Sequence, residues 1–117
     1  MRVLIFDDEI DALYLYKIIL EKKGHEVVTF LNCDNLFYDV DSIHPDVIIM
    51  DNEMPGISGI DATRYLKADE RFAHIPVISC SANSEGERLA EQAHADMFLP
   101  KPFTASRLEH AIKSVAA

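Results

Sequence analysis

The sequence is poor in the features that define several large classes of protein. Basic residues are few, since 11 lysines and arginines stand against 20 acids, for a formal net charge of −9. This charge argues against nucleic acid, whose phosphates require a basic surface, and against an anionic membrane surface. No run of apolar residues is long enough to cross a membrane, so a membrane-spanning protein is not indicated.

Cysteine is also scarce. Cys33 and Cys80 form neither a metal motif nor a disulfide framework, and the five histidines are scattered without a His-x-x-x-His pair. The first residues, which reach acids at position 7, show no signal-peptide pattern. Together these observations favour a reducing, cytoplasmic setting.

What the chain does contain is a regular alternation of short apolar runs and helical patterns. The apolar runs predict five strands, over residues 2–6, 25–31, 47–50, 75–80 and 96–99, and a helical pattern follows each of them. Such alternation predicts an α/β fold, a doubly wound five-stranded parallel sheet with five helices on both faces. No repeat, linker or low-complexity tract interrupts it, so we expect one domain over residues 1–117.

Several residues indicate where the helices begin and end. Gly24 is placed to stop the first helix, while Ser58 and Thr104 are placed to cap the third and fifth. The pattern Ser84-Glu85-Gly86-Glu87 predicts a capping box at the start of the fourth helix, which should run to about Ala95.

The predicted ends of the strands carry a set of polar residues. Asp7 and Asp8 follow the first strand, Asp51 the third, Ser81 the fourth and Lys101 the fifth. Each alone is more typical of a turn or a helix cap, but the carboxyl ends of parallel strands meet at one edge, where open α/β sheets bind ligands. Three crowded carboxylates without sulfur or imidazole favour Mg²⁺. With a lysine and a hydroxyl added, the set can hold a phosphoryl group.

These residues resemble the receiver domain of two-component response regulators, the CheY-like fold, over essentially all 117 residues. The matching pieces are Phe6-Asp7-Asp8-Glu9, Asp51-Asn52-Glu53-Met54-Pro55-Gly56-Ile57-Ser58-Gly59, Ser81-Ala82 and Lys101-Pro102-Phe103. The resemblance implies a strand order of 2-1-3-4-5 and a cis peptide bond between Lys101 and Pro102.

The resemblance also implies a role for each residue of the cleft. Asp51 would accept a phosphoryl group from a phosphohistidine on a histidine kinase or a histidine phosphotransfer protein. Asp8, Asp51 and the backbone carbonyl of Glu53 would ligate Mg²⁺, for which Mn²⁺ is a substitute, and Asp7 would act through water. Lys101 would pair with the phosphoryl oxygens.

A switch follows from the same resemblance. Ser81 would turn toward the phosphoryl group, and Phe98, at the family's switch position, would move inward. The surface formed by the fourth helix, fifth strand and fifth helix would then bind a downstream protein. Such a domain is not an enzyme in the usual sense, because it promotes only its own phosphorylation and dephosphorylation.

Three other interpretations remain open at this point. A phosphatase of the haloacid dehalogenase type would use the same chemistry, but it resembles Asp-x-Asp after the first strand and carries a cap domain. A flavodoxin-like cofactor binder needs a phosphate-cradling loop after that strand, where Asp7-Asp8-Glu9 would repel phosphate. A pseudo-receiver would keep the fold without phosphorylation, which the complete set of acids, serine and lysine argues against.

The chain begins at Met1 and stops just after the fifth helix, so we expect a stand-alone receiver or one cut from a longer protein. Its first helix has two apolar stripes. The predicted core face contains Ala12, Leu15, Tyr16, Ile19 and Leu20. The second stripe, which we expect to be exposed and to bind a helix of the phosphate donor, contains Ile10, Leu13, Tyr14 and Ile18.

Overall fold

The computed structural model describes residues 1–116, in which strands and helices alternate without exception. The strands are β1 (Arg2–Phe6), β2 (Glu26–Phe30), β3 (Val47–Asp51), β4 (Val77–Ser81) and β5 (Met97–Pro100). The helices are α1 (Ile10–Lys22), α2 (Leu36–Ile43), α3 (Gly59–Ala68), α4 (Gly86–Gln92) and α5 (Ala105–Ala116). The predicted number and order of elements are therefore confirmed.

All five strands are parallel and lie in the order β2-β1-β3-β4-β5, which confirms the predicted topology. β3 lies at the centre, and all five of its residues are buried, as expected of a strand covered on both faces. In register, Phe6 lies beside Met50, and Asp51 lies beside Cys80. The carboxyl ends of β1, β3 and β4 thus meet at one edge.

Two separate hydrophobic cores show that helices cover both faces of the sheet. On one face, Ile5 and Ile49 pack with side chains of α1 and α5, such as Leu20 and Ile112. On the other face, Phe6 and Met50 pack with side chains of α2 and α3. Successive strand residues point to opposite faces, which is why neighbouring residues such as Ile49 and Met50 belong to different cores.

The ends of most helices follow the predicted chemistry. The hydroxyl of Ser58 accepts a hydrogen bond from the backbone N–H of Asp61 at 3.1 Å, and that of Thr104 accepts one from Arg107 at 3.1 Å. Gly24 follows α1 with φ of +90°, a conformation that side chains disfavour. The predicted capping box is wrong: α4 begins at Gly86, and its N-cap residue Glu85 makes no side-chain cap bond.

The rotation of α1 differs from the prediction at two leucines. Leu13 is only 6% exposed and packs in the core with Leu20, whereas Leu15 is 55% exposed. The buried face follows Leu13, Tyr16 and Leu20, a spacing of three and four residues that fits the helical period. Leu13 therefore does not belong to the exposed stripe. Both faces of this helix are rich in apolar residues, so the sequence pattern alone fits either rotation.

Two further expectations concern the backbone and the membrane. The peptide bond between Lys101 and Pro102 is cis, as the resemblance implied. Within residues 1–116, none of the helices combines the length and the apolar character needed to cross a membrane.

Candidate functional site

The carboxyl edge of the sheet brings three aspartates together. Asp7 directly follows β1 and is 2% exposed, and Asp51 ends β3 and is 5% exposed. Asp8 faces solvent. One carboxylate oxygen from each of Asp7, Asp8 and Asp51 nevertheless lies within 4.8 Å of the other two. The structure therefore unites the three acids predicted from the strand ends.

Lys101 lies among these carboxylates. Its Nζ is 3.0 Å from Oδ2 of Asp7 and 3.3 Å from Oδ1 of Asp51. The lysine is positioned by its own backbone N–H, which donates to the carbonyl of Ser81 at 2.9 Å, and by Phe103, whose ring stacks on Tyr16 with centroids 5.2 Å apart. The β5–α5 loop is thus attached both to β4 and to α1.

The electrostatics of the cleft favour a charged lysine beside one carboxylate, that of Asp51, whose charged form burial disfavours. Burial raises the pKa of Asp51 to about 6; Lys101 lowers it in part, and the charges of Asp7 and Glu53 raise it further. Burial acts to lower the pKa of Lys101, but its hydrogen bond to Asp7 and the charges of Asp7 and Asp51 outweigh burial and raise that pKa above its ordinary value. The surroundings therefore disfavour the charged form of Asp51 and favour the charged form of Lys101.

The group opens into a cleft of about 290 Å³. Its lining is formed by Asp8, Glu9, Asp51, Glu53, Ala82 and Lys101. Four acids, one base and one alanine thus surround a small volume. This negative lining suits a cation together with an anionic group rather than a large apolar ligand.

Ser81, predicted to face the same cleft, is paired elsewhere. It is 1% exposed, donates its hydroxyl to Oε1 of Glu53 at 2.5 Å and accepts the backbone N–H of Asn83 at 2.9 Å. Within the described part of the chain, that hydroxyl makes no hydrogen bond to Asp51. The side chain of Glu53 therefore contacts Ser81, whereas the metal-binding role of its backbone carbonyl stays a prediction.

Phe98 is half-buried on β5, and both its ring and Ser81 lie near the first residue of α4. A Cβ atom added to Gly86, the first residue of α4, would lie 2.9 Å from Oγ of Ser81 and 3.1 Å from Cε1 of Phe98. Only a glycine fits between these two side chains without displacing one of them. The predicted switch residues therefore share a contact with the start of α4.

The sequence reasoning missed a buried polar chain beside the acids. Asn52 is 4% exposed; its Oδ1 accepts the hydroxyl of Ser79, and its Nδ2 donates to the carbonyl of Gly86 at 3.4 Å. It links β3 to β4 and to α4. A signal was present, because Ser79 is a polar residue within a predicted buried strand and Asn52 directly follows the acid of another.

The amino end of α1 presents apolar side chains next to the cleft. Ile10 is 67% exposed and Tyr14 70% exposed, and they adjoin Leu15 and the half-buried Ile18. We call these four residues the α1 surface. Its first residue, Ile10, directly follows Glu9, which lines the cleft.

A parallel sheet of order 2-1-3-4-5 with an acidic cleft and a lysine at its carboxyl edge defines a flavodoxin-like α/β protein of CheY type. The family model for the response regulator receiver domain matches residues 3–113. The chain belongs to this family and is therefore a receiver domain of two-component signalling.

Relatives of nearly the same length support the assignment. The polar-differentiation response regulator DivK of Brucella ovis is 31% identical over 115 residues, which cover 96% of this chain and 93% of DivK. A response regulator receiver domain protein from Clostridium thermocellum is 31% identical, with a TM-score of 0.88 over 98% of this chain and 93% of that one.

A second similar structure concerns the fold alone. The receiver domain of a sensor histidine kinase from Pseudomonas aeruginosa is 24% identical, with a TM-score of 0.90 over 99% of this chain and 98% of that one. That protein holds a magnesium ion in its active-site cleft.

Proposed function

We propose that residues 1–117 act as a single receiver domain, in which Asp51 accepts a phosphoryl group from a phosphohistidine of a histidine kinase or a phosphotransfer protein. The observation that carries the proposal is the placement of Asp51: it ends the central strand, faces the cleft and receives a hydrogen bond from Lys101 at 3.3 Å. With a pKa of about 6, its carboxyl group is mostly ionised at neutral pH and is available as a nucleophile.

The transfer is a displacement at phosphorus. An oxygen of the Asp51 carboxylate attacks the phosphorus atom, the bond from phosphorus to the histidine nitrogen breaks, and the imidazole leaves with the electron pair. Lys101, held 3.0 Å from Asp7, places a positive charge beside the phosphoryl oxygens throughout. The domain promotes this reaction and the later hydrolysis only on itself.

The residues fit a divalent cation. Carboxylate oxygens of Asp7, Asp8 and Asp51 within 4.8 Å of one another are hard ligands of the kind that Mg²⁺ prefers. In the proposal, Asp8, Asp51 and the backbone carbonyl of Glu53 hold Mg²⁺, or Mn²⁺ in its place, and Asp7 acts through water. When bound, the ion supplies positive charge to offset that of the phosphoryl oxygens.

Phosphorylation is proposed to change the surface that the domain presents to a downstream protein. The Ser81 hydroxyl turns to the phosphoryl group, Phe98 moves inward, and the face of α4, β5 and α5 changes its affinity for a downstream protein. The contact of Gly86 with both Ser81 and Phe98 supports a linkage between the cleft and this face.

The α1 surface is proposed to bind the phosphate donor. Its exposed Ile10 and Tyr14 lie directly beside the cleft-lining Glu9, so a partner helix packed on them would bring its histidine near Asp51. Neither a dehalogenase-type phosphatase nor a pseudo-receiver is favoured, because the acceptor aspartate ends β3 rather than β1 and the acids and lysine are assembled.

Phosphorylation with a small donor tests the proposal. The wild-type chain, incubated with acetyl phosphate and Mg²⁺, should gain one acid-labile phosphoryl group in its intact mass, and Asp51→Asn should gain none. Asp41→Asn, which removes an exposed acid on α2, is the matched control and should behave as the wild type. The same labile adduct on Asp51→Asn would show that the acceptor is another residue.

A further inference from the structure

Glu53 makes a contact that the phosphoryl-acceptor role does not require. Its Oε1 accepts the hydroxyl of Ser81 at 2.5 Å, a length typical of a hydroxyl bound to a carboxylate. The partner side chain is 1% exposed, while Glu53 itself reaches it from an exposed loop position. This is a specific, partly buried hydrogen bond between two residues at the ends of neighbouring strands.

The contact uses the only proton that Ser81 can donate. A serine hydroxyl has one O–H to donate, and here its oxygen also accepts the backbone N–H of Asn83 at 2.9 Å. Phosphoryl oxygens only accept hydrogen bonds. If Ser81 is to bond a phosphoryl group on Asp51, it must therefore first release Glu53.

The Glu53 carboxylate also lies where a phosphoryl group would repel it. Glu53 lines the same cleft of about 290 Å³ as Asp51, and its charge is one of the causes that raise the pKa of Asp51. A phosphoryl group on Asp51 adds negative charge and strong acceptor oxygens at this place. It would push Glu53 outward and offer the released hydroxyl a new acceptor.

We propose that Glu53 is a positioning residue that holds the Ser81 hydroxyl away from Asp51 and competes with the phosphoryl group for it. This inference rests on the proposed function, because it concerns the serine that responds to phosphorylation. The competition sets the balance between two hydrogen-bonded positions of Ser81. Since Gly86 lies so close to Ser81 and Phe98 that an added Cβ would meet both, the same balance sets the resting position of the start of α4.

Two conservative variants separate the charge of Glu53 from its contact. Glu53→Asp keeps the carboxylate but is one methylene shorter, so it cannot reach Ser81 from the same backbone position. Glu53→Gln keeps the length and an acceptor oxygen but removes the charge. Neither changes the backbone carbonyl proposed as a metal ligand, and the exposed position of Glu53 favours normal folding, which thermal melting checks.

The probe is beryllofluoride, a non-covalent analogue of the phosphoryl group, titrated in Mg²⁺ and followed by amide resonances. Glu53→Asp should bind it about fivefold more tightly than the wild type, since one net hydrogen bond no longer opposes binding. In the Ser81→Ala background the same substitution should change the affinity little.

The backbone amide of Asn83 gives a second readout, because it donates a hydrogen bond to the Ser81 hydroxyl and its resonance is therefore sensitive to the position of that hydroxyl. In the absence of beryllofluoride, this resonance should shift in Glu53→Asp and stay near its wild-type position in Glu53→Gln.

The matched control is Glu70→Asp, which shortens an exposed acid just beyond α3 and should leave the affinity unchanged. If Glu53→Asp changes the beryllofluoride affinity equally in the wild-type and Ser81→Ala backgrounds, or in neither, then Glu53 does not compete with the phosphoryl group for the Ser81 hydroxyl. A folded wild-type chain that neither binds beryllofluoride nor gains a phosphoryl group would instead overturn the proposed function, and the inference with it. The two failures are therefore distinguishable.

Discussion

Lys101 lies between two buried carboxylates, Asp7 and Asp51, at 3.0 and 3.3 Å. The other oxygen of Asp7 accepts the backbone N–H of Glu9 at 3.0 Å, so both oxygens of this buried acid are paired. Burying an unpaired charge is costly, and a lysine shared between the two acids offsets that cost without closing the cleft. One residue thus makes it feasible to hold several acids together at a sheet edge.

Gly59 is a second residue whose identity the site requires. A Cβ atom at this position would lie 1.8 Å from the carbonyl oxygen of Asp51 and 2.9 Å from Cα of Asn52. Both are backbone atoms and cannot turn aside. The first residue of α3 is thus in direct contact with the backbone of Asp51.

Gly59→Ala should therefore lower the free energy of unfolding by about 3 kcal/mol or more, as overpacking against backbone does. Urea denaturation measures the loss. Gly24→Ala is the control, since nothing lies within 4 Å of its added Cβ and only its φ of +90° opposes the change, at a cost of about 1–2 kcal/mol. Equal losses in the two variants would contradict the steric argument.

At the scale of the element, α1 has one face in the core and one beside the cleft. The buried face packs Leu13 and Leu20 against β-sheet residues such as Ile5 and Val27. The opposite side leaves Tyr14 and Leu15 exposed. Leu13 and Leu15 therefore have different roles despite identical chemistry and near-adjacent positions.

Truncating each leucine tests this rotation. Leu13→Ala should lower the free energy of unfolding by about 2–5 kcal/mol, because it leaves a cavity in the core. Leu15→Ala should change it by about 0.5 kcal/mol or less, because the side chain is 55% exposed. Chemical denaturation of both variants provides the measurement. A larger loss of stability for Leu15→Ala than for Leu13→Ala would show that the face containing Leu15, not Leu13, is buried in the core.

The α1 surface gives a prediction about the partner. The double variant Ile10→Glu with Tyr14→Glu should slow phosphoryl transfer from a phosphorylated histidine phosphotransfer protein that serves the wild type, roughly tenfold or more. Phosphorylation by acetyl phosphate should remain near normal, because the cleft residues are unchanged. The ratio of the two rates, measured side by side, isolates docking from chemistry.

Tyr38→Glu provides the matched control for this surface, since Tyr38 on α2 is 75% exposed and similar in size and character. It should leave both rates near those of the wild type. If the α1 variant slows both donors equally, or slows neither, the α1 surface does not dock the donor.

In the whole molecule the acids outnumber the bases, so ion pairs within the chain cannot neutralise all of them. The formal net charge is −9, and three of the acids lie within 4.8 Å at one edge. Like charges brought together by folding oppose the folded state. A ligand that binds only the folded arrangement of these acids should therefore stabilise the entire domain.

Mg²⁺ at a hundredfold excess over its dissociation constant should stabilise the fold by about 2.7 kcal/mol. For a domain of this size, that raises the melting temperature by about 10 °C. Asp8→Asn should reduce the shift without harming the metal-free protein, because it removes both a ligand and a repulsive charge. Asp41→Asn should keep the full shift, and a full shift in Asp8→Asn as well would exclude Asp8 as a ligand.

The residues of the site that lie at or just after the ends of strands could be predicted from the sequence. Asp7, Asp51 and Lys101 each follow or end a short apolar run, and parallel strands place such residues at one edge. The partners of each side chain were not predictable in the same way. Ser81 is bonded to Glu53 rather than turned to Asp51, and Asn52 joins β4 and α4, because hydrogen bonding depends on loop paths that periodicity does not encode.

The order of the elements, the parallel sheet and the acids of the cleft could be predicted from the sequence, because apolar period and turn chemistry are local properties of the chain. Packing in the folded domain places Leu13 rather than Leu15 in the core and leaves no room for a side chain at Gly59 or Gly86. It also decided that Glu53 holds Ser81. These features arise from close packing between residues distant in the chain, where a few tenths of an ångström determine which neighbour a side chain meets.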